Sequence, residues 1–287
     1  MDSQEVIAQH ERAGRAFSAA GVRSFALDAG SGEPVVCMHG VPASAFLYRK
    51  LVPELAERGL RGIAFDLPGL GLAERPDAFN YTWSGLGEFA LAAVDSLGLD
   101  RFHLVVHDIG GPIGFELASR IPQRVASLTI LNTLVEVDTF RRPWTMQPFA
   151  VRGVGPAYLK LLSKPMFRAL MRLQGIANTT AVTRAELDAW VDLLKREDGG
   201  TAFLKIMRGF ELTREKRDLY VGVLGSAPFP IQVIWGDRDP ALTIAKHGEA
   251  VRLATGVQEI IRLPGKHFLQ EDCAPELADH IARFIAL

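Results

Sequence analysis

The 287-residue chain carries 32 Lys+Arg against 33 Asp+Glu, a formal net charge of −1, with 48% hydrophobic and 23% charged residues. These proportions exclude global disorder, and a near-neutral chain offers no field for nucleic acid or an anionic membrane surface. Two cysteines, Cys37 and Cys273, cannot form a disulfide framework or a Cys-rich zinc module, and no apolar run reaches the ~20 residues needed to span a bilayer.

Charged Asp2, Glu5, Glu11 and Arg12 break up the N-terminal stretch, which no secretory h-region allows, so a soluble cytoplasmic protein is expected. Pro34–Met38 then reads as a buried strand running into His39-Gly40, followed by helical spacing over Leu47–Arg58. Gly62–Asp66 is a second short apolar run, ending in the turn-rich Leu67-Pro-Gly-Leu-Gly71. Trp83–Leu97 reads as a helix, Phe102–Val106 as a strand, Gly111–Arg120 as a helix and Ser127–Leu131 as a strand. Strands separated by helical patterns imply crossovers and a mostly parallel sheet flanked by helices, an α/β fold.

The alternation breaks near Leu134. Gly155–Leu173, Arg184–Lys195, Thr201–Leu212 and Arg214–Leu224 all carry helical patterns, with no strand between them. It resumes with a strand at Ile231–Trp235, a helix over Ala241–Ala254, a strand at Gln258–Leu263 and a helix over Pro275–Ile285. The expected organisation is an α/β core of residues 1–133 and 226–287, interrupted by a helical cap at 134–225. An insertion between strands of an open sheet emerges at a loop, where a lid over the site is its natural use.

Chemistry concentrates at Val105-Val-His-Asp-Ile-Gly-Gly-Pro-Ile-Gly114. A strand, a sharp turn and a small-residue helix form the pattern of a nucleophile elbow, with Asp108 where Ser is usual. A carboxylate there can attack an sp³ carbon and form an alkyl ester; an Asp capping a helix is the bland alternative. His39-Gly-Val-Pro42 follows an earlier strand, so the Val41 and Ile109 amides are the candidate oxyanion donors. His267 lies after the last strand, in the base position. The acid is expected in Trp235-Gly-Asp-Arg-Asp-Pro240, with Asp239 favoured by spacing, Asp237 the runner-up and Glu136 a weaker alternative.

On these residues the chain resembles the α/β-hydrolase fold, in the branch of haloalkane dehalogenases and epoxide hydrolases. The resemblance rests on His39-Gly-Val-Pro-Ala-Ser44 with Phe46-Leu-Tyr-Arg-Lys50, Asp66-Leu-Pro-Gly-Leu-Gly71, Val106-His-Asp-Ile-Gly-Gly111 and Lys266-His-Phe-Leu-Gln-Glu-Asp272. It covers most of the chain beyond the first ~20 residues and is weakest in the cap. It implies a two-step hydrolysis with no metal or organic cofactor: Asp108 displaces a leaving group from carbon, and His267, oriented by Asp239, activates the water that cleaves the ester. The expected partners are a small neutral organic substrate and water.

Two departures from that pattern matter. Ile109 stands where dehalogenases usually carry a halide-binding Trp, and Val41 where many carry Asn; neither side chain can donate a hydrogen bond. Trp144 or Trp190 could supply a donor from the cap. An epoxide hydrolase would instead need a cap phenol, for which Tyr158 and Tyr220 are the candidates. A non-catalytic binding protein on the same fold is the alternative of another class. His107 is expected to order the elbow or pack beneath it, and His39 to brace the oxyanion turn. His10, His103, His247 and His280 read as surface residues. Arg141-Arg142 reads as a solvated pair, with contact to an anionic substrate the alternative.

Overall fold

The computed structural model describes residues 1–287. Eight strands form one sheet: β1 (Gly14–Ala19), β2 (Val22–Ala29), β3 (Pro34–Met38), β4 (Arg61–Phe65), β5 (Phe102–Asp108), β6 (Val125–Thr133), β7 (Ile231–Gly236) and β8 (Ile261–Leu263). Their order across the sheet is β1-β2-β4-β3-β5-β6-β7-β8. β1 and β2 form an antiparallel hairpin, β2 pairs antiparallel with β4, and every later pairing is parallel. The helices of the α/β alternation are α2 (Leu51–Glu57), α3 (Trp83–Ser96), α4 (Gly110–Arg120), α11 (Glu249–Thr255) and α13 (Ala274–Ile285), with a single turn, α12, at Leu269–Asp272. A parallel strand with helices on both faces must be apolar on both faces, and β5 is buried along Phe102–His107. This is the mostly parallel α/β sheet expected from the alternation, in the α/β-hydrolase architecture that the resemblance implies.

Between β6 and β7 the chain forms helices joined by turns and coil, with no strand: α5 (Gln147–Ala150), α6 (Val154–Leu161), α7 (Lys164–Leu170), α8 (Arg184–Lys195), α9 (Thr201–Arg208) and α10 (Arg214–Gly225). The single helix expected over 155–173 is broken in two. Ser163 caps α7 by accepting the Met166 amide, and Pro165 in the first turn lacks the N–H that an unbroken helix would need. A wide turn, Met171–Gly175, then closes the segment. In α8, Thr183 and Glu186 form a capping box. The apolar face of this insertion merges with the sheet's core, so Phe149, Phe167, Trp190 and Phe203 belong to the same buried cluster as Val36 and Val106.

The N-terminal stretch, given no elements from its sequence, forms α1 (Ser3–Arg12) and the β1–β2 hairpin. α1 lies against α8 of the insertion. This buries His10, contrary to the surface reading: its ring stands 4.8 Å from Phe25 and 5.1 Å from Phe46. His103 is buried too, between Ser127 Oγ at 2.8 Å and Glu33 Oε2 at 2.7 Å. No helix is long and apolar enough to cross a membrane.

Candidate active site

β5 delivers Asp108 to the C-terminal edge of the sheet in a left-handed backbone conformation, φ +54°. A non-glycine residue there costs on the order of 1–3 kcal/mol and persists only where its surroundings hold it. Three neighbours do so. The Val41 amide donates to Asp108 Oδ1 at 2.8 Å. The Thr133 hydroxyl, from the end of β6, donates to the Asp108 carbonyl. α4 starts two residues later, at Gly110. Close packing explains the glycines around it: a Cβ on Gly40 would strike the Asp108 side chain, and one on Gly111 would strike Thr133.

The turn carrying Val41 is fixed from below. Leu67 N–H donates to His39 Nε2 at 3.0 Å, so His39 Nδ1 carries the proton and donates to the Gly40 carbonyl at 2.9 Å. Burial pushes the His39 pKa down to about 4, which keeps the ring neutral for this double role. The neighbouring turn is held by Asp66, whose carboxylate accepts the Ala45 amide at 2.6 Å and the Leu72 amide at 2.7 Å. The motifs His-Gly-Val-Pro and Asp-Leu-Pro-Gly therefore interlock.

His267 stands above Asp108. Its Nε2 is 3.5 Å from Asp108 Oδ2 and its Nδ1 is 2.8 Å from Asp239 Oδ2. Asp239 Oδ1 accepts the Ala241 and Leu242 amides at 2.8 and 3.0 Å. Its Oδ2 also accepts from Asn132 Nδ2 at 2.7 Å, and Asn132 Oδ1 in turn accepts the Gly236 amide at 3.0 Å. Asp237 and Glu136 do not reach the histidine: Asp237 is exposed beside Arg238, and Glu136 is exposed at the start of the insertion. Burial disfavours the charged imidazole, but Asp239 and Asp108 outweigh it and raise the His267 pKa to about 10. Burial likewise works against both carboxylates, yet His267 holds Asp108 and Asp239 below the usual carboxylate range.

Two supports carry no recognisable motif. Asn132, next to the last residue of β6, fixes the acid. His107, expected to order the elbow or pack beneath it, donates through Nε2 to the His267 carbonyl at 2.8 Å, with burial pushing its pKa down to about 3. Alternation alone places His107 on the face of β5 opposite to its neighbour Asp108, but sequence cannot say what that face meets.

Asp108 and His267 open into a cavity lined by 25 residues, 17 of them hydrophobic, among them Val41, Ile109, Phe149 and Phe203. Its polar side chains are Asp108, His267, Arg142, Thr145 and Gln174. None of the aromatic candidates from the sequence lines it. Trp144 is 71% exposed. Tyr158 packs its ring 4.7 Å from Phe149, which lines the cavity, but does not line it itself. Tyr220 is buried between α10 and α4, with its hydroxyl donating to Glu116 Oε1 at 3.0 Å. Trp190 is buried against Phe167 and Phe268, and its indole N–H has no partner. Helical periodicity shows that such rings are apolar anchors but not which way each helix faces. No group of three or more His, Cys, Asp or Glu is arranged to hold a metal ion. Chemically, the arrangement offers a carboxylate nucleophile, a histidine base with its acid, and an amide already on the carboxylate.

Known proteins place the chain. The model of the alpha/beta hydrolase fold family matches residues 33–274. The chain is 29% identical over 262 residues to a haloalkane dehalogenase of Mycobacterium marinum, covering 87% of this chain and 84% of that one. Among solved structures, Cfl2 from Burkholderia cenocepacia superimposes with a TM-score of 0.81 at 23% identity, covering 95% of both chains. An epoxide hydrolase from Vigna radiata gives 0.78 at 20% identity, covering 95% of this chain and 97% of that one. With its family model spanning most of the sequence, the chain belongs to the alpha/beta hydrolase fold family and is a hydrolase, similar in sequence to a haloalkane dehalogenase and in fold to an epoxide hydrolase.

Proposed function

We propose that the enzyme hydrolyses a small haloalkane-like electrophile through an alkyl ester on Asp108, with no cofactor, beneath a cap formed by residues 134–225. One observation carries this reading: a carboxylate, not a hydroxyl, occupies the elbow, with Val41 N–H on its Oδ1 and His267 Nε2 facing its Oδ2. Asp108 Oδ2 attacks carbon, and the halide leaves with the bonding electron pair. The charge of Asp108 disappears on esterification, and His267 thereby loses one of the two carboxylates that raise its pKa. The imidazolium then releases its proton to solvent and becomes a competent base. It takes a proton from water, whose oxygen attacks the Asp108 carboxyl carbon, and the oxyanion develops on Oδ1, where the Val41 amide already sits and the Ile109 amide is adjacent. Collapse expels the alkoxide, which leaves as the alcohol with the hydroxyl proton of the tetrahedral adduct and restores the Asp108 carboxylate beside protonated His267.

A departing halide needs a donor, and the indoles considered for that role lie outside the cavity. Gln174 supplies one: its Oε1 accepts from Thr145 Oγ1 at 3.0 Å, which directs the amide's N–H₂ end away from that bond, and the residue lines the cavity. Epoxide ring opening by a cap phenol has no support, because no tyrosine lines the cavity. A pure binding role would leave the buried His267–Asp239–Asn132 relay without a purpose.

The test is His267→Gln incubated with 1-chlorobutane and 1-bromobutane. Intact mass should show a butyl adduct that maps to Asp108 and is missing from the Asp108→Ala, His267→Gln double variant. Halides that wild-type enzyme consumes without such an adduct would overturn the covalent mechanism.

A further inference from the structure

Arg142 is the one cation in the cavity wall besides His267, and it has no anionic partner. Of its guanidinium nitrogens only Nη2 is hydrogen bonded, to the Met207 carbonyl at 2.8 Å. Nε is buried and bonded to nothing. The guanidinium carbon lies 4.5 Å over the Phe210 ring, and none of the chain's ion pairs includes this residue. The neighbouring Arg141 is exposed, so the fold splits the pair that the sequence presented as one solvated unit. Burial lowers the Arg142 pKa and no carboxylate offsets it.

A half-buried guanidinium with spare donors is costly unless something pairs with it. Elsewhere the chain meets that requirement from within: Arg49 has Glu186 and Glu271, Arg61 has Asp28, and Arg168 has Asp188. Arg142 has no such carboxylate within the chain, and it lines the cavity into which Asp108 opens. A substrate carboxylate would enter against Asp108 and would need a cation of its own.

The geometry points to Arg142 as the group that binds a carboxylate on the substrate, so that the preferred electrophile is a halogenated carboxylic acid rather than a neutral haloalkane. This rests on Asp108 being the nucleophile and replaces the expectation of a neutral substrate. The guanidinium fork holds the carboxylate. Asp108 Oδ2 bonds to the halogen-bearing carbon as the carbon–halogen bond breaks, and the halide keeps the electron pair. Water assisted by His267 then splits the ester, leaving a hydroxy acid, a halide ion and one proton. The apolar remainder of the wall, including Phe149 and Phe203, covers the carbon chain.

The experiment compares 2-chloropropionate with its neutral isostere 2-chloropropionamide, on wild type, Arg142→Gln and Arg142→Lys. Wild type should prefer the anion in kcat/KM. Arg142→Gln should lower the anion-to-amide ratio by about 10- to 100-fold, chiefly through KM, the scale expected for a charge-assisted hydrogen-bonded contact. Arg142→Lys, which keeps the charge and loses the fork, should fall between them and guards against misfolding of the glutamine variant. A ratio unmoved in both variants, or a wild type that favours the amide, would overturn the assignment. Adduct formation on His267→Gln separates the two layers. An amide adduct on Asp108 with no preference for the anion removes only the role of Arg142, whereas no adduct from either probe removes the nucleophile and this inference with it.

Discussion

Two walls face each other across the cavity. On the sheet side, Asp108, His267 and Asp239 hang from the ends of β5, β8 and β7, and each is tied to main chain or to a neighbouring side chain from another element. On the insertion side, Arg142, Thr145, Gln174 and a set of phenylalanines come from short helices and turns, with few polar ties among them. Precise placement at the sheet suits a reaction that must repeat on any substrate. A wall held mainly by apolar packing can change its lining with little effect on the chemistry beneath. In the mechanism proposed above, the first wall governs whether hydrolysis occurs and the second governs on what.

The contrast breaks first at Asp239. Asp239→Asn leaves the shape intact but reverses the hydrogen bond that orients His267, so kcat should fall by about 10⁴-fold, as at the equivalent acid of serine hydrolases. The Asp108 ester should accumulate in this variant and be visible by intact mass. A loss below tenfold would mean that the sheet wall is less demanding than its geometry implies.

The two walls are joined through Arg49. Its guanidinium bridges Glu186 of α8, at 2.7 Å, and the buried Glu271 of α12, at 2.5 Å. Arg49→Ala leaves Glu271 with only Lys50 as a cation partner, and removing one member of a buried ion pair costs about 3–5 kcal/mol. A urea melt should show that loss. If it appears as a separate early transition instead, the insertion unfolds independently of the sheet.

Titration of His267 distinguishes the walls by pH. Its pKa is raised from 6.5 to about 10 in the folded chain. Its contribution to stability is therefore complete below about pH 6.5 and is lost as pH rises through about 10. The stability advantage of wild type over His267→Gln should shrink across that interval, while Trp144→Ala, at an exposed insertion site, should follow wild type at every pH. The carboxylates behave oppositely: their lowered pKa values add stability above the unfolded value near 4, lost as pH falls through the folded one.

The smallest effect belongs to Tyr220→Phe. It removes one hydrogen bond to Glu116, which keeps Lys216 as its ion partner, and should cost about 1 kcal/mol of stability. Turnover of epoxides and halides alike should be unaffected. A specific loss of epoxide hydrolysis would restore the phenol as a ring-opening acid.

The sequence was most readable where chemistry forces a local pattern. Asp108, His267 and the Val41 turn each lie at the junction of an apolar strand with small turn residues, and the structure brings them together. Asp239 was separable from Asp237 only by spacing, and the fold adds the reason: Oδ1 of Asp239 caps the following turn, which turns Oδ2 toward the histidine. Long-range pairing was not readable. The β1–β2 hairpin completes an edge of the sheet without a turn motif that stood out, and His10 is buried by Phe25 and Phe46, 15 and 36 positions away in sequence. The insertion's helices are visible in the sequence, but the rotation of each about its axis is not, and Trp144, Trp190, Tyr158 and Tyr220 lie outside the cavity. Arg142, read as solvated, fell inside it.

The central claim is that carbon is transferred to Asp108 before water attacks. A single turnover with enzyme in excess, run in oxygen-18 water with a substrate the wild type consumes, tests it directly. The account predicts oxygen-18 in the Asp108-containing peptide and unlabelled oxygen in the first-turnover alcohol. Label in the product with none in Asp108 would show that water attacks the substrate carbon itself, and would contradict it.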